Sequence, residues 1–253
     1  MKISEMLYDA ARYPFSGLKQ LLLLGLLILI SSLFLGQYNE LYVYLDNILG
    51  DSGLLLAIFL FFAITTIFMI LEAGYSFKIV EKSINGDEKP PELNNFIYMF
   101  KHGINETIIA IIYFMVPFII FLSILDDAFS QINLGIPEIS DEIAILLLIA
   151  LIFLGFIVNI IFTIAIPHMA FKGGSFKEAF RLGEIFKKIR RIGLKKLIIG
   201  YFIVILGLVV IGGPILKEII ESSNIFGFVI AEELIAPYII MFSARFTALI
   251  YME

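Results

Sequence analysis

Long apolar segments separated by short charged stretches constrain this chain more than any other feature. A bilayer core about 30 Å thick needs about 20 residues of helix, and six segments reach or approach that length. They cover residues 18–35, 54–71, 107–125, 143–170, 197–211 and 226–251. Hydrophobic residues make up 60% of the chain, above the roughly 45–50% that is typical of soluble domains. The sequence therefore predicts an all-α integral membrane bundle of six transmembrane helices, in one domain over residues 1–253.

The distribution of charge predicts how these spans are oriented. With the N-terminus inside the cell, sixteen of the eighteen Lys and Arg residues fall on one side of the spans. They are Lys2, Arg12, Lys19, Lys78, Lys82, Lys89, Lys101 and the nine basic residues of 172–196. The opposite stretches contain Glu40, Asp46, Asp51, Asp126, Asp127, Glu138, Asp141, Glu142, Glu218 and Glu221, with Lys217 as their one basic residue. Because cytoplasmic loops carry an excess of Lys and Arg, we expect a protein of the cell membrane with both termini in the cytoplasm.

A short amphipathic stretch, a glycine and a pair of spans recur three times along the chain. The glycines are Gly17, Gly103 and Gly193, which lie 86 and then 90 residues apart. Apolar residues spaced i, i+3, i+4 precede each glycine and share one helical face. They are Leu7, Ala10 and Ala11, then Leu93, Phe96 and Ile97, then Leu182, Ile185 and Phe186. The pattern predicts three short amphipathic interfacial helices and a pseudo-threefold repeat with units near 1–80, 81–173 and 174–253. Coincidence is the alternative, since amphipathic lead-ins to spans are common.

The third amphipathic stretch is the strongest. Ser175 followed by Glu178 predicts a capping box at its start. Its polar face is basic and consists of Lys187, Lys188, Arg190, Arg191 and Lys195. We expect this helix to lie in the membrane plane, where each basic residue gains about 1 kcal/mol from anionic headgroups at the cytoplasmic face. A nucleic-acid partner is disfavoured because no base-stacking or groove-reading motif accompanies the charges, and a voltage sensor because they stand outside the span. Positive-inside topology alone is the plainer interpretation.

Loop and interface residues carry a resemblance to a known family. The segment GYSFKIVEKSINGDEKPPELNNFIYMFKHGI has a Gly-Tyr pair, an Asn-Gly-Asp-Glu turn and a Pro-Glu before the amphipathic stretch. It resembles a family of uncharacterised multi-pass membrane proteins found largely in archaea, methanogens among them. IPHMAFKGGSFKEAFRLGEIFKKIRRIG and APYIIMFSARFTALIY look like its second and third signatures. The resemblance implies an integral membrane protein with no assigned substrate, cofactor or catalytic residue. A looser similarity to the membrane domain attached to some glycerophosphodiester phosphodiesterases implies a lipid-related role by analogy alone.

Charged groups inside spans are costly, so they mark candidate sites. Glu72, His168 and Arg245 fall near the cytoplasmic ends of the second, fourth and sixth spans. We expect them to face one another, with Arg245 paired to Glu72 and His168 as a pH-sensitive neighbour. An ion pair that only fixes helix packing is the alternative.

Two further carboxylates, Glu232 and Glu233, lie about two helical turns into the sixth span. Only one of two adjacent residues can face a given partner, so we expect one in an outward-facing cavity, where a cation or cationic headgroup would bind. The alternative is that both carboxylates mark a shallow outer end of the span. Pro237 follows and predicts a kink that frees backbone carbonyls. In the fourth span, Gly155 is expected to allow the close approach of a neighbouring helix.

No catalytic or cofactor motif is recognisable in the sequence. The chain has no Cys, which excludes disulfides and thiolate metal sites, and it contains no H-E-x-x-H, G-x-S-x-G or P-loop motif. We therefore expect no catalytic residue, metal or cofactor. The leading hypothesis is a non-enzymatic polytopic membrane protein that is lipid-associated or accessory to a membrane protein complex. The alternative is a small transporter or channel whose polar track is Glu72, His168, Arg245, Glu232 and Glu233.

Overall fold

The computed structural model describes residues 1–36, 38–134, 141–206 and 225–253, and no β-strand occurs among them. Its elements are α1 (Ile3–Arg12), a 3₁₀ helix (Pro14–Gly17), α2 (Leu18–Gly36), α3 (Tyr38–Ile84), α4 (Phe96–Leu134), α5 (Asp141–Phe171), a second 3₁₀ helix (Phe176–Phe180), α6 (Leu182–Ile192), α7 (Leu194–Leu206), α8 (Ile225–Ile230), a π-helical segment (Ala231–Ile235) and α9 (Ala236–Met252). The prediction of an all-α fold is confirmed for this part of the chain.

Five segments of the described ranges are long and apolar enough to cross a membrane. They are Ile3–Ser32, Leu55–Ile84, Phe96–Leu122, Ile145–Phe171 and Phe226–Met252. Each overlaps a predicted span, as expected for a multi-pass membrane protein. The fifth predicted span begins in α7, but residues 207–211 lie outside the described residues, so a sixth span is not confirmed. Glu138, Glu218 and Glu221 of the expected acidic loops also lie outside them.

The helices continue through stretches that were expected to form connecting loops. α3 contains 47 residues, which at 1.5 Å per residue is about 70 Å, more than twice the thickness of a bilayer core. It includes residues 38–53, and α4 likewise runs through Asp126 and Asp127. The difference arises because hydropathy detects where a helix leaves the hydrocarbon, not where the helix ends.

The predicted repeat is not confirmed, because its three glycines have different surroundings. Gly17 closes a 3₁₀ helix, Gly103 lies inside α4, and Gly193 ends α6 with a φ of 93°. The second amphipathic stretch is the first part of α4, which is continuous from Phe96 through Gly103, and its Ile97 is 85% exposed. Separate amphipathic helices are found at α1 and α6, each followed by a break before the next helix, a 3₁₀ helix after α1 and Gly193 after α6.

The buried core lies toward one end of the helices. We call this end the basic side and define it by α1, residues 85–95 and α6. The largest fully buried side chains there include Met6, Tyr75, Phe77, Met99, Met169, Ile185, Leu197 and Met241. Away from this end, Leu55, Phe59 and Ile152 are 68%, 66% and 64% exposed. Apolar surface of this extent is unfavourable in water but is solvated by lipid tails, so the exposure agrees with a membrane environment.

Glycines set the closest helix crossing. A Cβ on Gly74 of α3 would lie 1.8 Å from the carbonyl oxygen of Met99, and a Cβ on Gly103 of α4 would lie 1.9 Å from that of Ile70. Only glycine permits the backbones of α3 and α4 to approach so closely. A Cβ on Gly155 would meet no atom of the described residues within 4 Å, so the expected close approach at Gly155 is not found in this part of the chain.

Candidate functional site

The last long helix is interrupted by a π-helical segment directly before Pro237. Proline has no N–H to donate, so the carbonyl of Glu233 cannot receive the usual bond from four residues ahead. Over Ala231–Ile235 the backbone hydrogen bonds change from four-residue to five-residue spacing, and the N–H of Ala236 donates to the carbonyl of Ala231. The Glu233 carbonyl lies against Gly25 of α2, where a Cβ would stand 2.1 Å from its oxygen. The expected distortion at Pro237 is therefore present as a π-helical segment, a feature frequent at functional sites.

A cluster of carboxylates and hydroxyls surrounds this segment. Ser31 Oγ donates to Glu72 Oε1 at 3.1 Å, and Ser32 Oγ donates to Glu232 Oε2 at 2.9 Å. Because the serines are adjacent on α2, they bring an acid from α3 and an acid from the π-helical segment to one turn of α2. Glu233 Oε2 is buried and has no hydrogen-bond partner among the described residues. We call Ser31, Ser32, Glu72, Glu232 and Glu233 the carboxylate cluster.

Arg245 does not belong to this cluster, and its expected pairing with Glu72 is wrong. Its Nε donates to Asp9 Oδ1 at 2.7 Å, and its NH1 donates to the carbonyl of Asp87 at 2.7 Å. Its guanidinium carbon also lies 4.9 Å from the ring centroid of Tyr13. The reason is that α9 packs against α1, which supplies a nearer carboxylate, while Glu72 is held by a serine of α2. The Arg245 group ties α1, α9 and the turn after α3 together.

His168 has a third set of neighbours, different from the expected Glu72 and Arg245. Its Nδ1 lies 2.9 Å from Tyr251 Oη on α9. Its Nε2 lies 3.4 Å from Glu184 Oε2 and 4.0 Å from Glu178 Oε2. His168 is in the last turn of α5, Glu178 lies in the second 3₁₀ helix and Glu184 is in the first turn of α6. We call His168, Glu178 and Glu184 the histidine–carboxylate group.

A turn at two glycines brings the residues of the histidine–carboxylate group together. Gly173 and Gly174 have φ values of 78° and 75°, a left-handed conformation that favours glycine, and they reverse the chain after α5. The 3₁₀ helix then packs back against α5, and Tyr113 Oη donates to the carbonyl of Ala179 at 2.7 Å. Among the described residues, Ser175 makes no side-chain capping bond, so the predicted capping box is wrong. The Glu178 carboxylate turns toward His168 instead.

Arginine and lysine balance the two carboxylates. Arg181 lies 3.2 Å from Glu178 Oε1 through NH2 and donates to Glu184 Oε1 at 3.0 Å through NH1. Lys172 Nζ lies 3.2 Å from Glu184 Oε2. Hydrogen bonds from Lys172 and Arg181 hold the pKa of the Glu184 carboxyl below its ordinary value, so it is ionised at neutral pH. Lys188 lies over the Tyr251 ring, 4.7 Å from its centroid, and partial burial lowers its pKa.

The apolar face of α6 packs inside the protein instead of facing lipid. Ile185, Ile189 and Ile192 are buried in the core, while Leu182 and Phe186 remain 46% and 43% exposed. The predicted basic residues are exposed at Lys187, Arg190, Arg191 and Lys195 and half-buried at Lys188. None of those four exposed cations joins an ion pair formed between described residues.

Sequence reasoning overlooked Asp9, Glu178 and Glu184 as partners of the candidate residues. Asp9 lies between Leu7 and Ala10 of the first amphipathic stretch, where the local pattern does not indicate a partner in the sixth span. A signal for the other two existed, because they are the two acids in the strongly basic stretch 172–196. Glu106 was also missed: its Oε2 is buried on α4 and has no hydrogen-bond partner in the part of the chain that the structure describes.

Comparison with protein families gives one match. The model described as "Protein of unknown function (DUF4013)" matches residues 57–217. No curated protein and no solved structure matches the chain. The matched region includes Glu72, the histidine–carboxylate group and α6, whereas Arg245 and the π-helical segment lie beyond it.

Proposed function

The chain belongs to the DUF4013 family of proteins of unknown function, and we propose that it is a non-enzymatic polytopic membrane protein whose α6 binds anionic lipid headgroups at the cytoplasmic face. The observation that carries the proposal is the set of exposed basic side chains on α6 beside an exposed apolar strip. Binding of lipid at this surface does not require a cofactor or a catalytic residue.

The surface of α6 has successive strips when its residues are spaced 100° apart around the helix. The face with Ile185 and Ile189 is buried and anchors the helix to the bundle. Next to it lies the exposed apolar strip of Leu182 and Phe186, followed by the basic strip of Lys187, Arg190 and Arg191. An interfacial helix inserts its apolar surface at the headgroup–acyl boundary and keeps its basic surface among headgroups. The narrow apolar strip supports such a position, although most of the apolar face packs inside the protein.

Lipid selectivity tests this proposal directly. The full chain is reconstituted in bilayers of phosphatidylglycerol and phosphatidylcholine, and the lipids retained after gentle extraction are counted by native mass spectrometry. The triple substitution K187Q, R190Q and R191Q should lower the enrichment of phosphatidylglycerol by about tenfold or more, since each charge contributes about 1 kcal/mol.

The matched control neutralises the same number of charges elsewhere on the basic side. Lys19, Lys89 and Lys101 are exposed, and their replacement by Gln gives the same change in net charge. The control variant should retain the enrichment. An equal loss in both variants would overturn the proposal and leave positive-inside topology as the role of the α6 charges. Loss of a co-purifying membrane protein in place of lipid would favour the accessory role.

The cytoplasmic placement of α6 is tested separately. The natural chain has no Cys, so Glu88→Cys and Asp126→Cys each introduce a single thiol. A membrane-impermeant maleimide should label the Asp126→Cys variant in intact cells and the Glu88→Cys variant only after the membrane is opened. The reverse pattern would contradict the proposed orientation.

A small proton or cation transporter is the second candidate, and the carboxylate cluster favours it. Ionisable groups inside a span mark ion pathways, and here Glu72 and Glu232 bind adjacent serines of α2 beside a π-helical segment. Because His168 and Arg245 have other partners, only Glu72, Glu232 and Glu233 remain of the expected polar track. In proteoliposomes under a pH or sodium gradient, Glu72→Gln and Glu232→Gln should abolish flux, while Glu88→Gln, which changes an exposed carboxylate, should not. Absence of flux in the natural chain would reject this candidate.

A further inference from the structure

We propose that His168, Glu178 and Glu184 bind a divalent transition-metal ion, with Zn²⁺ as the ion that fits best. Each residue offers one donor atom, and these atoms all lie within 4.8 Å of one another. The donors come from α5, the second 3₁₀ helix and the first turn of α6, so an ion bound there would join three consecutive elements at the basic side.

Two of the three distances between donor atoms are close to those of a tetrahedral site, and the third, between the two carboxylates, is within 4.8 Å. Ligands placed about 2.1 Å from a tetrahedral Zn²⁺ lie about 3.4 Å apart. His168 Nε2 is 3.4 Å from Glu184 Oε2 and 4.0 Å from Glu178 Oε2. The first distance already matches, and the second requires a contraction of about 0.6 Å, which a rotation of the Glu178 side chain supplies.

The histidine is oriented as a metal ligand. Its side chain is 5% exposed, and its Nε2 is buried with no hydrogen-bond partner among the described residues. When Nδ1 carries the proton it donates to Tyr251 Oη, 2.9 Å away, and the lone pair of Nε2 then points toward the two carboxylates. Metal-binding histidines almost always use their second nitrogen in this way, which fixes the tautomer and the ring orientation.

The guanidinium of Arg181 contacts one oxygen of each of the two carboxylates, Glu178 and Glu184. Arg181 contacts Oε1 of Glu178 at 3.2 Å and Oε1 of Glu184 at 3.0 Å, which leaves both Oε2 atoms directed at His168. Glu178 Oε2 is buried and has no hydrogen bond to any described residue. Carboxylates that ligate metals are typically hydrogen-bonded through their other oxygen, so this arrangement resembles a prepared ligand set.

The chemistry of the donors selects the class of metal. One imidazole nitrogen and two carboxylate oxygens suit Zn²⁺ and its transition-metal neighbours, whereas Mg²⁺ and Ca²⁺ prefer ligands that are all oxygen. His168 and Glu184 also line an open cleft of about 270 Å³, whose other lining residues are Phe171, Tyr251 and the cations Lys172, Lys187, Lys188 and Arg191. The cleft gives an ion access from solvent and room for a water as the remaining ligand, the pattern of zinc sites with an open position.

Lys172 is the competitor for this position. Its Nζ lies 3.2 Å from Glu184 Oε2, the oxygen that would ligate the metal. The side chain is 37% exposed, so an incoming divalent ion can displace it toward solvent. If no metal binds, Lys172 and Arg181 neutralise the two carboxylates, and the group is a structural ion-pair network. Removal of Lys172 should strengthen metal binding if the group is a metal site. It should weaken the ion-pair network if the group is structural.

The test is a metal titration of the purified full chain in detergent. After treatment with a chelator, Zn²⁺ binding is followed by calorimetry, and Co²⁺ binding by visible absorption, which reports tetrahedral coordination. We expect one ion per chain, with Mg²⁺ and Ca²⁺ bound far more weakly. His168→Gln and Glu178→Gln should each weaken Zn²⁺ binding by at least about tenfold. Lys172→Met should strengthen it.

The control uses the other of the two histidines in the chain. His102 is buried and stacks on Phe77 with ring centroids 4.6 Å apart. It lies against Gly174 but supplies none of the three donor atoms, so His102→Gln should bind Zn²⁺ as the natural chain does. If His168→Gln does not fold, Glu178→Gln and Glu184→Gln carry the same test. The proposal is overturned if Zn²⁺ does not bind or if His102→Gln lowers the affinity as much as the ligand variants. It also fails if Lys172→Met weakens binding.

Discussion

Arg245 of α9 donates through Nε to Asp9 Oδ1 of α1 at 2.7 Å, across 236 positions of sequence. The arginine is 5% exposed, and its NH1 also donates to the carbonyl of Asp87. Three segments that are far apart in sequence therefore share one cation. Because a buried guanidinium that loses its partners is costly, this contact should contribute to the stability of the basic side.

Removal of this cation should destabilise the protein. We expect Arg245→Gln to lower the free energy of unfolding by about 1–3 kcal/mol, less than a fully buried pair because the Asp9 side chain is 38% exposed. The measurement is the midpoint of thermal unfolding in detergent. The double variant with Asp9→Asn should be less destabilised than the sum of the single variants. Glu72→Gln is the control and should be additive with Arg245→Gln; a strong coupling between those two would contradict the separation of Glu72 from Arg245.

The crossing of α3 and α4 should depend on two glycines. Gly74→Ala and Gly103→Ala place a Cβ within 1.9 Å of a backbone carbonyl oxygen, so each should lower stability by about 1–3 kcal/mol. Gly155→Ala is the matched control, since its Cβ would meet no atom of the described residues within 4 Å. It should be neutral or stabilising by up to about 1 kcal/mol, because alanine is the better helix former. Similar destabilisation by all three substitutions would show that the crossing is not the cause.

The contact between α2 and the π-helical segment should also be sensitive to a single methyl group. A Cβ in Gly25→Ala would lie 2.1 Å from the Glu233 oxygen, so the π-helical segment must move away from α2. That movement lengthens the Ser32–Glu232 hydrogen bond, and we expect a loss of about 1–3 kcal/mol in thermal unfolding. Ser32→Ala in the Gly25→Ala background should then cost less than in the natural chain. Full additivity of the two substitutions would argue against this coupling.

Acid should weaken the contact between α7 and the end of α9. Lys196 Nζ donates to Glu253 Oε2 at 2.8 Å, and this bond holds the pKa of Glu253 below its ordinary value of 4.5. A depressed carboxyl pKa stabilises the folded state above the ordinary value, and the contribution is lost as the pH falls through the folded-state pKa. The effect is small because the side chains are 24% and 26% exposed. The difference in melting temperature between the natural chain and Glu253→Gln should be present at pH 7 and vanish well below pH 4.5. A difference that persists in acid would point to packing instead of charge.

Local patterns predicted the elements but not their partners. The periodicity of 182–192 correctly indicated a strongly amphipathic helix, now seen as α6. The same pattern could not distinguish lipid from protein as the environment of its apolar face, and Ile185, Ile189 and Ile192 proved to be buried in the core. In the same way the position of Arg245 inside a span indicated a paired charge, yet only the packing of α9 against α1 identified Asp9 as the nearest acid.

The sequence by itself determined the apolar helices and the asymmetry of charge, because hydropathy and net charge are sums over neighbouring residues. Tertiary structure alone decided which polar groups meet. Glu72 and Glu232 bind adjacent serines of α2, and the turn at Gly173 and Gly174 brings Glu178 and Glu184 to His168. Each arrangement depends on backbone geometry that the local residue pattern does not specify. In a membrane, lipid tails solvate any apolar surface, so hydrophobicity does not decide which helices pair. Close contacts at glycines and buried polar groups decide it instead.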